Sequence, residues 1–398
     1  MWPLLHSRCA VQNFLTWLDS SPDDERRMRE LVRMFDGPAT LDEIGIGQIR
    51  DAFSDMLFPG TSTVHTRARY LLLVPWSFVA AARTSSGAEL AAKARRSELE
   101  VIKALQGSAQ TGVIGAAVGT AIKDVPSNLY WSALKAYGIL RSGKPRTGLR
   151  QVKSASDEPD WNMPIEAPSG FPRQVDGLDL LRSEAVWLRD RITHSVPGTY
   201  LTHLLRSKEF AEFAAPAPWD HAALDTASPA IREQVDHAEL FSTAIHGAQL
   251  LYNLMLAEQF ADEFAERIDD PDYYRQALVD WTAETQRIAQ RLTDWNRGRF
   301  WDIVLGQNPR VSIVTQQFVD TWLDVVVRNV TVDPDSPTAR RLIADREYQT
   351  KGSLARLRNR RQLGNWRGAS APGALHYRWD RVNRLTEDIF TGVDRASS

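Results

Sequence analysis

The sequence holds a single cysteine, Cys9, among 398 residues. That excludes an internal disulfide and a thiolate metal cluster, and it fits a reducing, cytoplasmic setting. Long hydrophobic runs are missing too. The longest, Leu71 to Ala82, lies between Arg69 and Arg83 and falls short of the ~20 residues that span a bilayer, so no membrane partner is expected. Met1-Trp2-Pro3-Leu4-Leu5 lacks the basic start and small-residue cleavage site of a secretory signal. An excess of one charge is also absent. With 48 Lys and Arg against 50 Asp and Glu, the chain is not one that coats nucleic acid indiscriminately.

The short motifs of known chemistries are missing as well. The eight histidines form no His-Glu-x-x-His, and the pairs His194/His203 and His237/His246 are nine apart, which puts their members on opposite faces of a helix. No Glu-x-Lys, His-x-Lys or Gly-x-Ser-x-Gly occurs, which removes common nuclease, phospholipase D type and hydrolase signatures. Gly138 to Lys144 has P-loop spacing, but Pro145 stands where Ser or Thr must hold magnesium. Gly45-Ile46-Gly47 lacks the third glycine of a dinucleotide fingerprint. Glu258, Asp262 and Glu266 line one helix face and read as solvated. Neither a cofactor nor a metal is expected.

What is present is helical pattern and uneven charge. Helices are expected over 20–35 (with Met28, Leu31, Val32 and Phe35 as its apolar stripe), 41–57, 64–83 with a bend at Pro75, 87–106 and 126–138. A strand at Tyr70 to Val74 competes with the third of these. Further helices are expected over 178–193, 197–213, 228–268, 271–296, 311–329, 336–349 and 376–391, and an amphipathic one over Lys351 to Arg361. The prolines of 142–177 suggest a linker between an N-terminal region, 14–141, and a C-terminal region, 178–393. The fold class is therefore mainly α, multi-helical, with two regions and a helix-turn-helix-like element near 99–140.

Charge reverses along the chain. Residues 206–284 carry 5 Lys or Arg against 16 Asp or Glu, whereas 340–384 carry 12 against 3. Residues 135–153 hold six basic residues and no acid. Such clusters are footprints of phosphate or of an acidic partner surface. The candidate contacts are Arg67, Arg69, Lys135, Arg141, Lys144, Arg146, Arg358, Arg360 and Arg361, with Trp366, Tyr130 and Trp131 as stacking or packing groups. Arg67 and Arg69 adjoin Thr61, Ser62, Thr63 and Thr66, a donor-rich neighbourhood for an anion. The alternative is that they pair with Glu43, Asp51 or Asp55 and lock the segment to the preceding helix.

Three stretches resemble an uncharacterised bacterial domain-of-unknown-function family. They are Thr16-Trp17-Leu18-Asp19 with Glu25 to Glu30; Asp42-Glu43-Ile44-Gly45-Ile46-Gly47 through Phe58-Pro59-Gly60-Thr61-Ser62-Thr63 and Thr66-Arg67-Ala68-Arg69-Tyr70; and Pro126 to Trp131 with Tyr137-Gly138-Ile139. Leu354 to Asn359 adds a weaker match. The resemblance implies a place in phage-defence islands beside helicases and nucleases, and it implies no activity. The expected function is a non-catalytic accessory that binds DNA or a nucleic-acid-processing partner. An enzyme, nuclease or nucleotide hydrolase, centred on residues 51–69 and a protein-binding scaffold are the alternatives.

Overall fold

A computed structural model describes residues 43–107, 110–141, 144–151, 160–207, 215–264, 271–329 and 332–395. The expected helix over 20–35 lies outside them. The described helices are α1 (Gly47–Leu57), α2 (Tyr70–Ala82), α3 (Gly87–Leu105), α4 (Pro126–Ala136), α5 (Arg182–Ser195), α6 (Tyr200–Arg206) and α7 (Pro229–Glu263). They continue with α8 (Pro271–Arg287), α9 (Ala289–Asp294), α10 (Arg297–Gln307), α11 (Ile313–Asn329), α12 (Pro337–Lys351), α13 (Arg360–Leu363) and α14 (Trp379–Asp394). No strand occurs among the described residues; Leu140 and Trp161 form one isolated antiparallel bridge. The protein is mainly α and multi-helical, and no described helix is long and apolar enough to cross a membrane.

The central element is α7, 35 residues long. Ser228 caps it by accepting from the Ile231 N–H, and Pro229 occupies the first turn, where its missing N–H costs nothing. Its middle is buried on every side, from Leu240 and Phe241 to Leu254 and Leu256, because α1, α8, α11 and α12 all pack around it. Gly247 lets α8 come close, since a Cβ there would collide with the ring of Trp281. Four polar side chains interrupt this apolar surface at helical spacing. Ser242 Oγ accepts from Leu375 N, His246 Nε2 donates to Pro372 O, Gln249 Nε2 donates to Ala371 O, and Asn253 takes both polar groups of the Ser370 backbone. They fasten a bent strap, residues 370–375, along the helix.

Helix α2 is nearly all buried, so periodicity could not separate it from a strand; it is helical, and Pro75 lies inside it. The helix-turn-helix expectation is corrected. Between α3 and α4 runs a connection from Gln106 to Val125 whose one described helical turn is Gly119–Ala121, far from the three or four residues that motif needs. The amphipathic helix over 351–361 is also corrected. Gly352, at φ +55°, ends α12, and two 3-10 turns and the short α13 follow. The reason is local: the Glu347 carboxylate takes the Arg356 and Leu357 N–H groups at 2.8 and 3.0 Å, so they do not join a helical ladder. Helix α10 was not expected; Asn296 caps it, accepting from Arg299 N.

The buried cluster runs from Ile44 to Ile389. α1 packs on α7 and α10, and α14 packs on α5. Described parts of the proline-bearing segment join it: Trp161 is buried and the Trp76 indole donates to Ile165 O at 2.8 Å.

Candidate nucleic-acid interface

A surface that binds phosphate needs basic groups that water can reach. Arg67 and Arg69 fail that requirement. Arg67 is buried, with Nε 3.0 Å from both oxygens of Asp388, Nη2 2.7 Å from Asp179 and Nη1 on Thr111 O. Arg69, 2% exposed, gives one nitrogen to Gly177 O and another to Glu184, each at 2.9 Å. The Asp388 carboxyl is raised by burial, against the pull of Arg67 and the Ala68 N–H, whereas Asp179 is lowered by Arg395 and Arg67. Tyr130 closes the cluster: its hydroxyl takes the Thr66 and Arg67 N–H groups and donates to Arg67 O. The two arginines are thus internal counter-ions. Their carboxylates come from 179, 184 and 388, not from Glu43, Asp51 or Asp55 as the alternative had it.

The constellation expected for an enzyme at 51–69 is likewise dispersed. Asp55 pairs with Arg378 at 2.7 Å and Asp51 with Arg50 at 3.0 Å. Among the described residues, no group of three His, Cys, Asp or Glu could hold a metal.

The C-terminal basic run is largely neutralised. Arg356 meets Glu43 at 2.8 Å, Arg358 meets Asp345 at 2.5 Å over the Tyr348 ring, and Arg360 meets Glu263 at 3.1 Å over Phe264. Arg361 is exposed. Trp366 is 1% exposed with its indole N–H on Ser370 Oγ, so it packs and cannot stack on a base. The acidic region is matched in the same way: Arg299 holds Glu233, Arg291 holds Asp236 and Glu239, and Arg275 with Arg340 holds Glu258.

Around α3 and α4 the outcome differs. Residues 83–150 contain 11 Lys or Arg against 4 Asp or Glu. One of those acids, Glu98, is buried beneath the start of α4, where its two oxygens take the Ser127 N–H at 2.6 Å and hydroxyl at 2.9 Å. Burial pushes its carboxyl up to about 7. The basic side chains stay outside: Arg83, Arg95, Arg96, Lys123 and Arg150 are exposed. The backbone draws them together. Arg95 reaches the carbonyls of Ile122 and Lys123, Arg146 reaches Asn128 and Ser127, Gly87 N bonds Leu149 O, and Gln151 reaches Arg83 O. Of the expected contacts here, Lys135 and Arg141 are exposed, Arg146 is half-buried, and Lys144 is held by Asp160 at 2.9 Å. Arg95 and Arg96 were missed because α3 reads as an ordinary solvated helix until 122–123 and 146–151 are folded against it; Arg83, Lys123 and Arg150 were not singled out either.

Comparison with curated proteins and with solved structures found no match. One family model spans residues 12–391, nearly the whole chain including the segment that carries Arg67 and Arg69, and the protein belongs to that family, the family of unknown function DUF6361.

Proposed function

We propose that this protein is a non-catalytic accessory of a bacterial anti-phage defence system, and that it binds nucleic acid through the face formed by α3, the start of α4 and residues 144–151. One observation carries the reading. Over 83–150 the basic residues outnumber acids by seven (11 less 4), and Arg83, Arg95, Arg96, Lys123 and Arg150 are among those that stand exposed on segments that touch one another. Elsewhere most arginines meet a carboxylate. Chemistry supports a sequence-tolerant contact, because exposed Arg and Lys neutralise phosphates without reading bases. The defence setting rests on the resemblance of the motifs at 42–70 and 126–139.

The test is binding of the purified chain to labelled duplex and single-stranded DNA across a salt series. The expected result is affinity that falls steeply with salt, since each neutralised phosphate releases counterions. Absence of binding at low ionic strength would remove the proposal.

A further inference from the structure

The basic face carries one element that its charges do not explain. Between Lys103 and Lys123 the chain has no charged residue, and the middle of that stretch stands out into solvent. Ala116, Ala117, Val118, Thr120 and Ala121 are all exposed, Val118 by 58%. A run of exposed apolar side chains, unlike scattered single ones, points to a partner. The tip is also firmly built. At its base Ile114 is buried, and its N–H donates to the Tyr70 hydroxyl at 2.9 Å. The Val118 and Gly119 N–H groups both return to Gly115 O, at 3.2 and 2.7 Å, and Ile122 N returns to Gly119 O at 3.2 Å. Gly119, at φ +56°, lies so near the Gln106 amide that a Cβ would collide with it. Arg95 fastens the far end through the carbonyls of Ile122 and Lys123.

The surroundings of the tip select the partner. Arg95, Arg96, Lys103 and Lys123 are exposed on the segments that flank it. All four acids of 83–150 are engaged: Glu89 with Lys93 at 3.1 Å, Glu98 with Ser127, Glu100 with Arg173 at 3.9 Å, and Asp124 with Asn128 at 2.9 Å. Positive charge is thus in excess beside the tip, which suits a polyanion. Single strands are held by stacking bases on exposed rings. The three aromatics of 83–150 are turned inward instead. Tyr130 and Tyr137 are buried, and Trp131 packs on Phe78 and Trp161 with its indole nitrogen covered. An anionic bilayer would call for Trp, Phe or Leu at the tip, and no side chain from Ala116 to Ala121 is larger than Val118. Small side chains suit the minor groove of a duplex, about 6 Å wide. Apolar wedges meet base edges there while Arg and Lys hold the flanking phosphates.

We infer that the partner of this face is duplex DNA and that the tip, Ala116 to Ala121, enters its minor groove with Val118 against the base edges. The inference rests on the nucleic-acid reading of the face and narrows it. Contact of this kind discriminates between base pairs. A G·C pair presents the guanine N2 amino group there in addition to the acceptors that an A·T pair also shows. Val118 satisfies neither kind, so a G·C pair loses one more hydrogen bond to water and adds bulk to the groove floor.

The experiment is equilibrium binding of the full chain to short duplexes of equal length, A·T-rich, G·C-rich and inosine·cytosine, and to a single strand of the same length. Inosine lacks only the N2 amino group of guanine, so it keeps the G·C major groove and opens the minor-groove floor. The A·T-rich and inosine·cytosine duplexes are expected to bind about tenfold tighter than the G·C-rich one, the effect of one unpaired group, and the single strand weakest. Val118→Ser lies outside the core and supplies a hydroxyl that pairs with either base pair. It should abolish the discrimination while salt-dependent binding by the basic groups stays. The inference is overturned if the inosine·cytosine duplex binds no tighter than the G·C-rich one, if the single strand binds as tightly as the duplexes, or if Val118→Ser keeps the discrimination. In each of those cases the nucleic-acid reading of the face survives. Failure of every nucleic acid to bind at low salt removes both, and flotation of the chain with phosphatidylserine and phosphatidylcholine vesicles would then assign the tip to a membrane surface.

Discussion

Arg67 and Asp388 are separated by 321 positions in the chain, and Arg67 Nε lies 3.0 Å from each oxygen of the Asp388 carboxylate. The same carboxylate takes the Ala68 N–H at 2.8 Å. The contact joins the approach to α2 with α14, so the last described helix closes on the first described part of the chain.

Removing one partner of that buried pair leaves a charge without compensation. Arg67→Met should lower unfolding free energy by about 3–5 kcal/mol in urea titrations, since Asp388 stays buried and unpaired. The double variant Arg67→Met/Asp388→Leu should recover part of that loss, because no unpaired charge is left buried there, while the Ala68 N–H loses its acceptor. A single variant that unfolds at the wild-type urea concentration would refute the internal counter-ion role.

Two histidines set an acid limit. His65 lies stacked on Tyr130 with Nε2 on Leu129 O, and His246 has Nε2 on Pro372 O. Burial lowers both from 6.5 to about 4. Their folded pKa is depressed, so between pH 6.5 and about 4 the unfolded chain binds protons that the native chain refuses. Stability should therefore fall as pH drops through that window. In thermal melts His246→Gln should show a shallower fall than wild type; identical slopes would contradict the assignment.

Glu98 acts with the opposite sign. Its carboxyl is raised by burial from 4.5 to about 7. Between those values the native chain holds a proton that the unfolded chain has released, so this group's contribution is largest at acid pH and is lost as pH rises through about 7. Glu98→Gln keeps an oxygen for the Ser127 N–H and carries no charge. The variant should gain stability relative to wild type above pH 7 and show little gain near pH 4.5, a difference that paired melts at the two pH values would reveal.

For the proposed interface, charge reversal at Arg83, Arg96, Lys123 and Arg150 should reduce DNA affinity and flatten its salt dependence, by up to about 0.9 in slope for each phosphate that is no longer neutralised. Arg358→Ala/Arg360→Ala/Arg361→Ala serves as comparison. Arg358 and Arg360 are held by Asp345 and Glu263, so this triple change should weaken binding less. The reverse ranking in a filter-binding series would move the interface to the C-terminal run.

Gly45 has φ +66°, and a Cβ there would collide with Arg346 Nη2. That nitrogen holds Gly45 O and Thr315 Oγ1. Gly45→Ala should cost roughly 1–3 kcal/mol through strained backbone and displaced guanidinium, read as a fall in urea midpoint; a wild-type midpoint would dismiss the contact.

Local features of the fold were legible and distant ones were not. Pro126 and Gly138 bracketed α4, and Ala, Glu and Lys content marked out α3 nearly to the residue. Both signals reside within a few positions. The partners of Arg67 and Arg69 could not be read that way, because Asp388 and Glu184 become neighbours only when α14 and α5 pack together. Lys351 to Arg361 carried helical spacing, yet the buried Glu347 captured its N–H groups. The basic face was half visible: 135–153 stood out by charge, while α3 hid its share among residues typical of any exposed helix.

The row formed by Ser242, His246, Gln249 and Asn253 grips only main-chain atoms of residues 370–375. Such a row measures distance along the strap and is blind to what the strap's side chains are. Exchanging one residue for another there leaves every rung in place, whereas adding or deleting a single residue shifts donors opposite donors. The row therefore fixes the length of this stretch, while its composition is held by other contacts: Ser370 Oγ takes Arg356 and Trp366, and Leu375 is buried in the core.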